Sequence, residues 1–424
     1  MAGAFLSCAA LWSFVVPPFE SPDETGHSRY VNFIMEHGRL PRPGEEARGE
    51  AHQPPLYYLL CAGLASAAGL SAIPAEPERN RSFRWYGGDE QPKYLHAASE
   101  SPPLAGSART LHWLRLMSVI MAAGTVVLVF RMGGNAGLSD DLTILAASFA
   151  AFLPQFTFIS ASLNNDNLAN LLSTACLALL VSGLARPARM ATWVAAGSLA
   201  GAGLMAKFTG LAMIPCGLVA LALARATPGS RPIRGSIAFF VPALAIPAPI
   251  VLRNLAQWGD PLGLAAQTQT LPTLVDRKAL VSSYFLTEFP LVLFKSFWGT
   301  FGWMSFPMPW PLFAGAAIAA LAAAAGLLLM RRDLATRRLH LLLGAAIAIQ
   351  LAQVVIYNLT FTQAQGRFLF PVIGPIALMI GSGLAETTRR AGLTLPRGRA
   401  VWLLVAAMAG ANLGILLGIV APAY

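Results

Sequence analysis

Apolar runs of about 20 residues recur from one end of this chain to the other, the length a helix needs to cross a bilayer. Lipid offers no partners for unpaired backbone groups, so only helices or closed barrels can span it. The runs are continuous rather than alternating, which excludes a barrel and predicts an all-α polytopic membrane protein. Eleven spans are expected, over 2–18, 111–130, 142–159, 168–184, 191–206, 211–224, 237–255, 311–330, 339–357, 370–384 and 401–420. Only 12% of the residues are charged, so where each charge falls carries information.

With the amino terminus inside, the inner loops hold Arg131, then Arg186 and Arg189, then Arg225, Arg231 and Arg234. The later inner loops hold Arg331, Arg332, Arg337 and Arg338, then Arg389, Arg390, Arg397 and Arg399. Each is short and basic, as the positive-inside rule requires. Asp140, Asp141, Asp333 and Glu386 fall inside, and sixteen of the twenty Asp and Glu fall outside. The net charge of +10 therefore follows from topology and not from a nucleic-acid groove, for which the chain has no basic domain. The first span is expected to be an anchor, since the basic n-region and small-residue cleavage site of a signal peptide are missing. Cys8, Cys61, Cys176 and Cys216 lie in apolar runs without metal-ligand spacing and read as small core residues.

Two long outer loops, 19–109 and 256–310, carry most of the polar residues, and loops of this length are usually functional or disordered. Within the first, 24–37 places Tyr30, Phe33 and Ile34 on one face, the pattern of a helix lying along the membrane surface. The stretch 54–72 reads as a second surface or re-entrant helix, because counting it as a span would reverse every later loop. Residues 73–109, rich in Pro, Gly and charge, are expected to be the most flexible part. In the second loop, 284–303 has the aromatic composition of an interfacial belt. The whole of 1–424 is read as a single transmembrane domain with no separate soluble domain.

The chemistry-bearing residues cluster at the outer ends of spans. Asp23, Glu24 and His27 follow Pro17-Pro18, and Asp23 and His27, four apart, would share a helix face. Ser21 and Asp23 are also good N-caps for the helix that follows, which is the ordinary reading of such a sequence. Asp166 lies in Asn164-Asn165-Asp166-Asn167, where it would cap the fourth span, although four consecutive polar residues exceed what one cap needs. Lys207 interrupts an apolar hairpin, either snorkelling at the boundary or holding an anion, since a charge within a span costs about 2.5–3.5 kcal/mol on insertion scales. His52 precedes Gln53-Pro54-Pro55, and Arg367 lies in Gln365-Gly366-Arg367-Phe368. Together they put acids and bases on one side of one membrane, where a phosphate leaving group and an activated hydroxyl could both be accommodated.

These residues carry a resemblance to the GT-C superfamily of integral-membrane glycosyltransferases, closest to a bacterial branch that includes a membrane-protein family of unassigned function. It rests on 17–27, on 51–58, on Asn165-Asp166 and on 206–211. It continues through Arg253-Asn254, 258–261, 296–299 and 301–303, and ends at 366–371. The resemblance implies a bundle of about eleven transmembrane helices in the cytoplasmic membrane, multi-pass, with its active site facing the outside or periplasm. It implies an inverting transfer from a polyprenyl-phosphate-linked sugar to a lipid or glycan acceptor. Asp23 would be the general base, Glu24 would orient it or raise its pKa, and Asp166 would position the acceptor or help hold a divalent metal. His52, Lys207 and Arg367 would bind the donor phosphate. The metal, Mg or Mn, would sit on Asp23, His27 and Asp166, with His27 otherwise a partner of Asp23 or a plain helix-face residue. The partners implied are the sugar donor, the acceptor and membrane lipids. Two other readings use the same residues: a transporter or flippase of lipid-linked sugar, and an assembly subunit that has kept the fold without catalysis.

Overall fold

The computed structural model describes all residues except 43–49, 85–90, 98–99, 101–103, 186–188, 226–228, 230 and 332. Arg186 and Arg332 of the inner loops lie outside the described residues. The order of helices is α1 (Ala2–Val15), α2 (Glu24–His37), α3 (Leu56–Ala67), α4 (Gly106–Asn135), α5 (Asp140–Phe152), α6 (Pro154–Ser160), α7 (Asp166–Ala185), α8 (Met190–Ala206) and α9 (Met213–Ala224). It continues with α10 (Pro232–Ala245), α11 (Ala248–Trp258), α12 (Leu264–Thr270), α13 (Phe289–Trp298), α14 (Trp310–Leu329), α15 (Leu334–Asn358), α16 (Ile373–Arg390) and α17 (Arg399–Ile415). Among the described residues the only strands are β1 (Thr300–Phe301) and β2 (Phe306–Pro307), paired antiparallel.

Every expected span falls on a helix, but not every one is a straight crossing. Among the described residues, six helices are long and apolar enough to cross a membrane alone, or eight if α5–α6 and α10–α11 each make one span. α1, α8 and α9 are shorter apolar helices. The spans expected over 142–159 and 237–255 are bent by 59° and 47°. Both breaks fall at prolines, Pro154 and Pro247, where the missing N–H and the ring clash end a helix. The first break is covered by Asn412 of α17, whose Nδ2 donates to Phe152 O at 3.1 Å and to Thr157 Oγ1 at 2.9 Å. Its Oδ1 accepts from Trp12 Nε1 at 2.8 Å, so one buried amide joins α1, α17 and the broken span. Backbone freed within a membrane needs such partners.

α2 and α3 pack against each other. Twelve residues of α3 rise about 18 Å, well short of a bilayer core of about 30 Å. α3 instead packs on α2 and also touches α4 and α8. Its Tyr57 and Tyr58 are fully buried, and Tyr58 stacks on Tyr30 at 3.9 Å between ring centroids. The described parts of 73–109 are largely exposed but make specific contacts. Asn32 grips Ile73 through both its amide groups, and Glu20 accepts from the backbone of Lys93 and Tyr94 and meets His96 Nε2 at 3.0 Å. The second outer loop is tied down by a bridge between Val275 and Phe361. The bridge brings the stretch 256–310 to the end of α15, and Asn164 Nδ2 at the start of α7 donates to Pro22 O at 3.3 Å.

Candidate functional site

Asp23 occupies the N-cap position of α2 yet does not cap it. Its backbone is left-handed, φ 66°, and its side chain makes no cap hydrogen bond. A non-glycine residue in that region is held there by its surroundings, and such outliers cluster at functional sites. The carboxylate turns away from the helix and accepts from Arg367 Nη2. Asp166 is likewise released from capping duty, because Asn164 Oδ1 accepts its backbone N–H at 2.9 Å. Its carboxylate accepts from Lys207 Nζ at 2.6 Å and from Arg367 Nη1 at 3.2 Å. Four charges from four separate segments therefore form one chain, Asp23 to Arg367 to Asp166 to Lys207.

Close backbone approaches deliver the two cations. Gly210 packs so tightly on Gly203 that a Cβ would lie 2.4 Å from the Gly203 carbonyl carbon, and this closes the hairpin that carries Lys207. At Gly366 a Cβ would lie 2.1 Å from Phe297 N, so only glycine lets the short helix Gly366–Val372 sit against α13. Ser296 Oγ accepts the Gly366 N–H at 2.8 Å, and Gln365 Oε1 accepts from Arg367 Nε at 2.6 Å. The arginine is thus held at its backbone and at all three nitrogens.

The cluster opens into a cavity of about 570 Å³. It is lined by the polar residues Asp23, His27, Glu50, His52, Gln53 and Lys207 and by apolar ones that include Leu211, Pro215, Ile349, Ile356 and Phe368. Asp23 is 32% exposed toward this space while Arg367 and Asp166 are almost fully enclosed. Burial alone would raise the Asp23 carboxyl, but Arg367, with His27 and Lys207 nearby, outweighs it and holds the group at about 2. Burial pushes the His27 imidazole down to about 3, so it is neutral at physiological pH. His27 Nδ1 lies 2.9 Å from Tyr58 Oη, and its Nε2 has no hydrogen-bond partner among the described residues.

Of the residues singled out from sequence, Asp23, His27, His52, Asp166, Lys207 and Arg367 come to this one place. Glu24 does not. It is fully buried on the far side of the turn, where Arg115 Nε and Nη2 donate to it at 2.8 and 2.6 Å. The backbone N–H groups of Phe19 and Leu163 also donate to it, each at 2.8 Å. Four donors thus occupy its two oxygens, and these contacts join the loop before α2 to Arg115 of α4 and to Leu163. Arg115, the missed partner, was visible as a lone charge inside an apolar span, a signal that marks a paired or functional residue. Glu50 was also missed. Its Cγ lies 2.5 Å from where a Cβ of residue 26 would stand, so Gly26 makes room for it, and burial, then Asp23, raises its carboxyl to about 8.

A divalent metal on Asp23, His27 and Asp166 does not fit these residues. The guanidinium of Arg367 already stands between the two carboxylates. Among the described residues no group of three or more His, Cys, Asp or Glu is placed to hold a metal ion.

No curated protein matches this sequence. Two crystal structures of ArnT from Cupriavidus metallidurans are similar in fold. The one bound to undecaprenyl phosphate aligns over 98% of this chain and 70% of that one, at 14% identity and a TM-score of 0.54. The apo form aligns over 99% and 72%, at 14% identity and 0.51. An Archaeoglobus fulgidus oligosaccharyltransferase tethered with an acceptor peptide aligns over 96% of this chain but 53% of its own length, at 13% identity and 0.44. At such identities the likeness to ArnT is one of fold, the GT-C fold that the motifs resemble. Residues 106–376 match the family described as predicted membrane protein DUF2142, and with more than half of its length matched this chain belongs to that family.

Proposed function

We propose that this protein is an inverting membrane glycosyltransferase that moves a sugar from a polyprenyl-phosphate-linked donor to a lipid or glycan acceptor. It would work as one transmembrane unit at the outer face of the cytoplasmic membrane. One observation carries the reading: Lys207 and Asp23 line a cavity that is also walled by many apolar side chains, and the Asp23 carboxylate is tied to Arg367. An isoprenoid phosphate has the same two-part character. The undecaprenyl phosphate bound by the ArnT of similar fold supports this choice.

In the proposed reaction the acceptor hydroxyl loses its proton to Asp23 as its oxygen attacks the anomeric carbon from the face opposite the phosphate. The bond from that carbon to the phosphate oxygen breaks, its electron pair leaves with the phosphate, and the configuration inverts. Lys207 and Arg367 stabilise the charge that develops on the leaving group, a task for preorganised donors rather than for a proton. The phosphate competes with both carboxylates for these cations. Each contact it takes from Asp23 restores basicity to that carboxylate, so a loaded donor readies the base. His27 Nε2, without a partner among the described residues, and Glu50 would meet hydroxyl groups of the sugar or acceptor.

The test is a transfer assay on purified protein in lipid nanodiscs with a panel of radiolabelled polyprenyl-phosphate sugars. Asp23→Asn is expected to lower transfer by about 10²- to 10⁴-fold, the usual contribution of a general base, with donor binding retained. Transfer by Asp23→Asn at the wild-type rate would remove Asp23 as base. Movement of intact donor across the bilayer without transfer would replace the enzyme by a flippase.

A further inference from the structure

The two acids of the site already have a cation between them. Arg367 Nη1 stands 3.2 Å from Asp166 Oδ2, Nη2 reaches Asp23 Oδ2, and Lys207 Nζ takes the other Asp166 oxygen at 2.6 Å. One planar group thus bridges a carboxylate of the first outer loop and one of α7, the position a divalent ion would hold if those acids were its ligands. We propose that Arg367 is the resident cation of this site, standing where a divalent metal would stand, and that the wild-type protein takes neither Mg nor Mn between Asp23 and Asp166. What Arg367 then does in catalysis rests on the transferase reading, whereas its exclusion of metal does not.

Three observations carry this. Charge is the first: two carboxylates face one guanidinium and one ammonium, so the cluster is neutral. A divalent ion added to it would bring two uncompensated charges into an enclosed place, and desolvating unpaired charge is what buried sites avoid most strongly. Anchorage is the second. A lysine can make room by losing its proton, but a guanidinium stays charged under all ordinary conditions. Gly366 against Phe297 and Gln365 on Nε leave Arg367 little room to withdraw. The third is the ligand set, because among the described residues no group of three or more His, Cys, Asp or Glu is placed to hold a metal ion. A guanidinium also suits a leaving phosphate, which it can grip through two parallel hydrogen bonds.

The experiment titrates Mn²⁺ alone into the full-length protein in detergent after chelator treatment, reading bound ion by electron paramagnetic resonance. Wild type and Asp23→Asn should give superimposable curves. Arg367→Gln, which keeps size and loses charge, should gain one Mn²⁺ per chain, bound about tenfold or more tighter than any wild-type site, as expected when a positive charge beside the ion is deleted. That gain should vanish when Asp23→Asn or Asp166→Asn is added. A wild-type Mn²⁺ site that Asp23→Asn or Asp166→Asn abolishes overturns the proposal, and so does a folded Arg367→Gln that gains no ion. Should Arg367→Gln not fold, the wild-type comparison decides by itself. Because these curves involve no sugar donor, they stand whether or not transfer is ever detected.

Discussion

Replacing Glu24 by Gln tests whether the residue beside the base is chemical or structural. Its carboxylate accepts four hydrogen bonds, two from Arg115 and one each from the backbone N–H of Phe19 and Leu163. An amide offers one acceptor oxygen, so its NH₂ must face donors on one side. Arg115 in turn donates to the carbonyls of Ser13, Val16 and Pro17 at 2.7–2.9 Å, and both side chains are fully buried. Removing one partner of a buried pair leaves the other uncompensated, at about 3–5 kcal/mol. Glu24→Gln and Arg115→Met are therefore each expected to lower unfolding free energy by about that amount. The apolar pair Glu24→Leu with Arg115→Met should recover part of the loss, since well-packed hydrophobic replacements of buried ion pairs are often neutral. Unfolding in mixed micelles of increasing SDS fraction, followed by circular dichroism, measures this directly. A Glu24→Gln protein that unfolds within about 1 kcal/mol of wild type, yet has lost transfer, would refute the structural role and return Glu24 to the chemistry.

Two further outcomes follow from the site. Gly366→Ala puts a Cβ 2.1 Å from Phe297 N, and the resulting shift of the helix that carries Arg367 should weaken binding of a polyprenyl phosphate at least about tenfold, measured by titration. Glu50, raised to about 8, carries its proton below that pH and loses it above. Glu50→Gln should match wild type near neutrality, and should lack the fall in phosphate binding that wild type shows above about pH 8, where an ionised Glu50 would repel the ligand. A wild-type profile flat to pH 9.5 would count against a protonated Glu50.

The helices and the four-charge cluster were legible because membrane solvation is so strict. Asp166, Lys207 and Arg367 stand out at the ends of apolar runs, and charge bias put them on one face. What the linear chain hid was direction. Whether Asp23 caps α2 or leaves it depends on a left-handed backbone, and that conformation is compatible with too many sequences to be read from one. Glu24 and Asp23 are neighbours that point to opposite sides of the same turn, one toward Arg115 and one toward Arg367. Glu50 shares its stretch of sequence with Glu45 and Glu46, and nothing local marks it as the one that Gly26 admits to the cavity. The bends at Pro154 and Pro247 had a signal in proline itself, although an apolar run alone does not separate a straight span from a broken one.

The position of each charge explains why the others are tolerated. Arg115 in α4 would be a costly intramembrane cation without Glu24, and besides Glu24 it gathers the carbonyls of Ser13, Val16 and Pro17. That gathering shapes the turn on which Phe19 and Asp23 take positive φ. The turn aims Asp23 away from α2 and toward Arg367, which is itself fixed by the approach of Gly366 to Phe297. A neutral structural pair thus sets the geometry of a neutral functional cluster, with the two sharing no side chain. It follows that variants of the first pair should move the position of Asp23 and the stability together, while Asp23→Asn, at the most exposed member of the second, should lower transfer without comparable loss of stability.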